Sequence, residues 1–540
     1  MVVVELKFSS SISESDPQEQ PCLIIGQLEH LKDADFADIR KKLKPRVEEK
    51  TFKAAVGLVR PPSVPGTSCS TCSVWLNKVV VAALPQCVSR HNSDARPHAL
   101  TKAVSSGLRG RTDEVILVVC PEKEAFASAC AIARAFPLFN EKVPRDASDG
   151  KDSSAVKSRC VTIEFLLAGP DKGKTLMPGA EEAMAAAADG IRLAAKIVDA
   201  PCNLMHTDIF LEHVRAVAKR LRIKPVIIQG ESLDKGGFGG IYGVGKAAVH
   251  QPALAVLSHT PKGATKNIAW VGKGIVYDTG GLCIKDRLHM VGMKRDCGGA
   301  AAILGAFEAA VTLGFNENLH AIFCLAENAV GPIATRPDDI HKLYSGRTVE
   351  INNTDAEGRL VLGDGVAYAR KDLNADVVVD MATLTGAQGI STGRFHAAVL
   401  TNKEDWEQSC MTAGKLSGDL VFPIPYSPEL HFGEFNSVIA DMKNSVADRS
   451  NAQSSCAGLF IHSHLGFDYP GVWVHLDIAA PCHAGERATG YGVAILLALF
   501  GQSSGNSLLQ FLGPQCEISV VDNDAQTQPP PSKKRKAKEG

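Results

Sequence analysis

The chain has 540 residues, with 58 Lys+Arg against 59 Asp+Glu and a formal net charge of −1, so it is long enough for two or three domains and carries no global charge that would draw it to nucleic acid. No apolar run approaches the roughly 18 residues of a membrane span, and Val2-Val3-Val4 gives way at once to Glu5 and Lys7, unlike a secretory leader. The 15 cysteines have no framework spacing, which reads as reduced thiols in a cytoplasmic protein.

In chain order, residues 1–175 alternate strand-like and helical stretches and predict an N-terminal α/β domain. Its strands are Cys22–Ile25, Val79–Leu84 and Glu114–Val119, then an Ala-rich helix, then Val161–Leu167. Between them, Arg145–Ser154 is rich in Asp, Ser and Lys and predicts an exposed loop. A Gly/Pro/Asp/Lys junction around Gly169–Gly179 leads into a helix over Glu181–Asp199, where apolar residues recur at helical spacing. That stretch, 176–200, is expected to link the two domains.

Residues 201–508 then repeat strand and helix, with strands at Pro225–Ile228, Ala253–Leu257, Leu319–Leu325, Asp376–Asp380 and Val472–Leu476. This rhythm predicts a larger catalytic α/β domain whose central sheet is mainly parallel and flanked by helices. Residues 509–540 are expected to form a disordered tail: Gln526–Ser532 is Pro- and Gln-rich, and Lys533–Lys538 is a basic cluster. Such a cluster is read by nuclear import receptors, and is also common as a solubilising tail.

The densest chemistry lies in Asn352–Leu360, NNTDAEGRL. Asp355 and Glu357 are two apart after the β-favouring Thr348–Ile351, and an extended strand would aim both at one face. A buried carboxylate pair is costly unless a proton or cation lies between its members. A second segment, Val271–Gly281, follows the apolar Ile268-Ala269-Trp270 and ends a strand with Lys273, Asp278 and a Gly turn. Open α/β sheets place their chemistry at such strand ends. Lys285 follows, then Met293–Gly299 with Asp296 at the start of an Ala-rich helix. Four oxygen donors, Asp278, Asp296, Asp355 and Glu357, suffice for a pair of divalent cations. Taken singly, each also has an ordinary reading as a solvated face or a helix cap.

Other motifs are weaker. Gly240–Ala247 nearly spells a phosphate loop but lacks the Ser or Thr that binds Mg²⁺, and reads better as a Gly-rich turn near the site. Cys69-Ser70-Thr71-Cys72 has no second pair or His at finger distance. His462 and His464 lie i, i+2 on a helix, where their rings diverge, so they read as core or helix-surface residues. Cys482-His483 and Glu486-Arg487 are expected to pack beside the site.

The motifs Lys273–Gly281, Met293–Ala300, Asn353–Leu360 and Ala382–Ala387, in this order, resemble the signature blocks of the leucyl aminopeptidase family, two-metal cytosolic exopeptidases. The likeness runs from Asp189 to near Gly501, and the wording of the blocks is most similar to one animal branch of the family. The resemblance implies that Asp278 and Glu357 bridge two divalent metal ions, Zn²⁺ and/or Mn²⁺. Lys273 and Asp296 would complete one metal and Asp355 the other. It further implies that Lys285 stabilises the oxyanion, and that Arg359 holds a bicarbonate acting as general base. Met293, Thr383, Leu384 and Gly386 would border the pocket for the first side chain of a short peptide substrate. A homo-hexamer is expected by the same likeness, and nucleic acid is not an expected partner.

Departures are few: Thr279 replaces Ser, Cys297 replaces the more usual Met, and the loop Asp286–His289 differs. The alternative to an aminopeptidase is a catalytically weak scaffold of the same fold that touches nucleic acid, or is imported into the nucleus, through its basic tail. The complete ligand set favours the enzyme.

Overall fold

Two sheets organise the chain, and the strands of the larger one carry the chemistry. The structure is a computed structural model that describes residues 3–62, 66, 68–107, 112–142, 158–516 and 518. The expected loop Arg145–Ser154 and the Pro/Gln-rich and basic parts of the tail lie outside the described residues.

The first sheet contains β1 (Val3–Ser9), β2 (Cys22–Gln27), β3 (Ser70–Trp75), β4 (Val79–Leu84), β5 (Glu114–Cys120) and β6 (Ser158–Leu167). Its order is β1-β6-β5-β2-β4-β3, and all pairs are parallel except the β3 edge. Beneath it Lys42 and Glu164 form a fully buried ion pair at 2.7 Å. Cys69 and Cys72 are both free thiols on the β3 edge.

The second sheet contains β7 (Val226–Gln229), β8 (Ala253–His259), β9 (Asn267–Asp278) and β10 (Asn318–Asn328). After the short β11 (Ile340–Lys342) and β12 (Thr348–Glu350) it continues with β13 (Val377–Ala382), β14 (Ala397–Thr401) and β15 (Val421–Pro423). Past β16 (Met442–Lys443) it is completed by β17 (Val472–Asp477), giving the order β15-β14-β17-β13-β9-β10-β8-β7. The four central strands, β17, β13, β9 and β10, are mutually parallel. Antiparallel pairings lie outside them, β8 on β10, β7 on β8 and β14 on β17, so the sheet is mixed with a parallel centre.

Burial explains the apolar runs. Along β9, Ile268 and Trp270 enter one core, while Ala269 and Val271 enter the core on the opposite face. A strand covered on both faces has no solvent side and shows no polar alternation. The helix Ala180–Asp199 is no free connector. Its Ala183, Ala187 and Ile191 belong to one continuous core with Ile116 and Val118 of the first sheet and Trp270 of the second. Arg134 adds a bridge between the two parts, 2.5 Å from Asp419.

The tail does not begin at 509 as expected. The helix Ser507–Leu512 buries Leu508, Leu509 and Leu512, so packing continues past that boundary. Among the described residues, no helix is long and apolar enough to cross a membrane.

Candidate active site

The site forms where the parallel centre of the second sheet ends. Lys273 lies within β9 and Asp278 closes it. Five residues apart, these side chains would point to opposite faces of a regular strand. Against β10, however, Ile275 pairs with Ala326 and Tyr277 with Glu327, so Val276 is an extra residue. This bulge reverses the alternation and turns Asp278 towards the lysine's side. Gly280 and Gly281 follow at φ +84° and +62°, a left-handed turn that favours glycine and carries the chain back towards the site as far as Lys285.

Asp296 sits in the 3₁₀ turn Met293–Cys297, immediately before the helix Gly298–Thr312. Asp355 and Glu357 are not on a strand, contrary to the sequence expectation. β12 stops at Glu350, and Glu357 already has helical angles (φ −79°, ψ −34°) at the start of the helix Gly358–Lys371. A turn into a helix, not an extended run, makes the two carboxylates converge. Both Asp296 and Glu357 therefore sit at helix N-termini, where the peptide dipoles favour negative charge.

The cluster is tight and buried. Carboxylate oxygens of Asp278, Asp355 and Glu357 all lie within 4.8 Å of one another. Lys273 Nζ is 2.8 Å from Asp296 Oδ1 and 3.0 Å from Glu357 Oε1, and it donates to the Thr383 carbonyl at 2.9 Å. Lys285 Nζ is 2.8 Å from Asp278 Oδ2 and also pairs with Asp355. Burial pushes the carboxyls of Glu357, Asp296 and Asp355 above their usual range, and the neighbouring Asp278 charge adds to each shift. Burial opposes the charge of both lysines, but the facing carboxylates outweigh it and raise them.

The donor set fits a pair of divalent cations. Four carboxylates face two ammonium groups, leaving net negative charge in a buried place. Asp296 Oδ2 and Glu357 Oε2 are buried without a hydrogen-bond partner, as oxygens awaiting a ligand would be. Arg359 is 6 % exposed and makes no ion pair among the described residues. Its Nη1 donates to the Asn444 carbonyl at 3.1 Å, its Nε has no partner, and burial lowers it to about 10.

Thr383 and Leu384 follow β13. Thr383 donates its hydroxyl to Asp296 Oδ1 at 2.7 Å, and the Leu384 amide donates to Asp477 Oδ1 at 3.1 Å. Met293 is half-buried in the turn that holds Asp296, and Gly386 is exposed at the start of the helix Gly386–Ser391.

The comparisons come to the same place. The profile described as "Cytosol aminopeptidase family, catalytic domain" matches residues 192–497, and "M17 aminopeptidase N-terminal domain 2" matches 20–144. The Mus musculus protein named probable aminopeptidase NPEPL1 is 60 % identical, over 97 % of this chain and 98 % of its own. The chain belongs to the cytosol aminopeptidase family. The structure of Caenorhabditis elegans leucine aminopeptidase is similar at TM-score 0.85 and 37 % identity, covering 94 % of this chain and 100 % of that one. Trypanosoma brucei leucyl aminopeptidase in complex with bestatin is similar at TM-score 0.79 and 36 % identity, covering 91 % and 94 %. As a member of this metal-dependent aminopeptidase family the chain is an enzyme, and the scaffold alternative is not favoured.

Several residues of this aminopeptidase site escaped the sequence reading. Asn328, at the end of β10, donates to Asp278 Oδ1 at 2.8 Å and to the Thr354 carbonyl at 3.0 Å. Asn444 is fully buried beneath the Asn352–Ala356 turn and bonds it four times. Neither asparagine has a sequence signal, because each acts across a long chain separation. The Gly240–Ala247 segment is a helix, Gly239–Gly245, rather than a turn. The amide of Ile241 donates to Asp364 Oδ2 at 2.8 Å, so a carboxylate already meets the start of that helix. His462 and His464 are core residues, as expected, bonded to Tyr426 and Ser345.

Proposed function

We propose that the enzyme removes the N-terminal residue from short peptides at a two-metal centre held by Lys273, Asp278, Asp296, Asp355 and Glu357. The observation that carries this reading is the convergence of the Asp278, Asp355 and Glu357 oxygens within 4.8 Å, beside two lysines. Asp278 and Glu357 lie between the two lysine-bound ends and would serve both ions, Zn²⁺ and/or Mn²⁺. Lys273 and Asp296 would complete one, and Asp355 the other. Such a pair supplies Lewis acidity and lowers the pKa of water.

The chain's own residues do the rest. Lys273 acts as a ligand only as the neutral amine, so loading the site releases the proton that Asp296 and Glu357 now hold on it. Lys285, paired with Asp278 and Asp355, would hydrogen-bond the scissile carbonyl oxygen and stabilise negative charge as it develops there. Arg359, a buried cation with an unpartnered Nε, is suited to hold a small anion, and bicarbonate would serve there as general base. Met293, Thr383, Leu384 and Gly386 would border the pocket for the first side chain. Thr383 is locked from both sides by Lys273 and Asp296, which keeps that wall rigid. We assign a cytoplasmic homo-oligomer, a hexamer, on family likeness.

The test is release of the first residue from unblocked dipeptides and amino-acid anilides, by protein loaded with Mn²⁺ or Zn²⁺. A Glu357→Gln control should lose turnover while keeping its fold. No release by loaded wild type on any substrate, or equal release by the control, would refute the assignment.

A further inference from the structure

A second group of metal-ligating side chains lies outside the catalytic cluster and plays no part in the reaction above. His206 immediately precedes the helix Thr207–Leu221, Asp208 is in its first turn, and His250 comes from the loop before β8. Thr207 Oγ1 donates to the Gln251 carbonyl at 2.9 Å and holds the helix start against that loop. Gln229 Nε2 donates to Asp208 Oδ1 at 2.9 Å, leaving Oδ2 to face both imidazoles. His250 Nδ1 is 2.7 Å from Asp208 Oδ2 and His206 Nδ1 is 3.8 Å from it. The rings are stacked, with centroids 3.4 Å apart and planes within 12°.

A histidine–aspartate hydrogen bond accounts for His250 but not for His206, whose Nδ1 is buried without a hydrogen-bond partner. Nor do two stacked imidazoles tolerate both being protonated. Two ligand atoms on one tetrahedral zinc, each about 2.0–2.1 Å from it, lie about 3.3 Å apart. One ligand atom from each residue lies within 4.8 Å of the others, and one of the two stacked imidazoles must turn out of the stack for both in-plane lone pairs to meet a single ion. Glu327, half-buried and within electrostatic reach of His250, adds negative charge on the side of the loop.

We propose that His206, Asp208 and His250 form a single-ion site for a divalent cation of the zinc type, separate from the catalytic centre, with its remaining position left to water. Two imidazoles and one carboxylate favour Zn²⁺ over the hard cations Mg²⁺ and Ca²⁺. The ion would clamp the start of the helix Thr207–Leu221 to the loop that carries His250.

The test uses the full chain, stripped with chelator, reloaded with Zn²⁺, desalted and assayed for zinc per chain. Wild type should hold one ion more than His250→Ala, His206→Gln or Asp208→Asn, the last two being close in shape to the native side chains. In a Glu357→Gln background, which weakens the catalytic pair, the same one-ion difference should persist. Zn²⁺ should also raise the thermal midpoint of Glu357→Gln more than that of its His250→Ala double variant. Equal zinc content in wild type and any folded variant overturns the proposal. So does a difference that vanishes in the Glu357→Gln background, because the lost ion would then belong to the catalytic centre.

Discussion

Asn444 has no chemistry of its own, yet truncating it should damage the site. Its Oδ1 accepts from the amides of Asn352 at 2.9 Å and Asn353 at 3.2 Å. Its Nδ2 donates to the carbonyls of Asn353 at 2.6 Å and Ala356 at 3.2 Å. Asn444→Ala removes these four bonds from a fully buried position, at about 1 kcal/mol each, or about 4 kcal/mol in all. The turn so released carries Asp355 and leads directly into Glu357 and Arg359. Loss of a partner that orients ligands weakens metal binding or activity by about 10–100-fold. Two measurements read this: urea unfolding of metal-free protein, and turnover of a leucine anilide as Mn²⁺ is titrated into stripped enzyme. The variant should unfold at lower urea, and its metal titration should shift to higher concentration. If stability stays within about 0.5 kcal/mol of wild type and the titrations superimpose, Asn444 does not hold the turn and the reasoning fails.

Other predictions test different links. A methyl at Gly358 would lie 2.6 Å from Lys273 Cε and 2.7 Å from its Nζ, so Gly358→Ala should displace the lysine and lower turnover at least about tenfold; unaltered turnover with unaltered fold would refute the close approach. Lys285→Met should lower kcat by about 10²–10³ with a small change in KM, as for loss of one oxyanion donor; steady-state kinetics decide it. His462 and His464 are buried neutral, held by burial at about 3 in the fold, against about 6.5 for an ordinary histidine. Below pH 6.5 the unfolded chain therefore binds protons that the fold refuses, and stability falls as pH falls. From pH 7 to 5 each residue contributes a loss of about 2 kcal/mol, at 1.36 kcal/mol per unit. His462→Phe should flatten the thermal midpoint between those pH values, and an unchanged slope would count against a buried neutral ring.

The site was legible because its donors are packed into short blocks. Lys273 with Asp278, Asp296 before its helix, and Asp355 with Glu357 are each visible as residue types at fixed spacing. The strand expected for Asp355 and Glu357 failed because β-propensity in Thr348–Ile351 describes only the residues before the turn, while Asn444 and the following helix shape what comes after. The Gly-rich turn expected at Gly240–Ala247 is instead the helix Gly239–Gly245, whose start meets Asp364, over a hundred residues away in sequence. The tail boundary at 509 was placed too early, because Leu508, Leu509 and Leu512 read as tail in isolation and as core only once packed.

Composition, alternation of strand and helix, and motif order by themselves pointed to the α/β class, the two-part arrangement and the candidate donors. Those properties are written in local periodicity and residue chemistry, which need no partner across the fold. Tertiary structure alone decided that Val276 bulges out and turns Asp278 to the side of Lys273, that Asn328 holds Asp278 and Asn444 the turn bearing Asp355, and that His206 meets His250. Each of these depends on register or contact between segments far apart in the chain, set by which apolar faces bury together, and no local pattern records that choice.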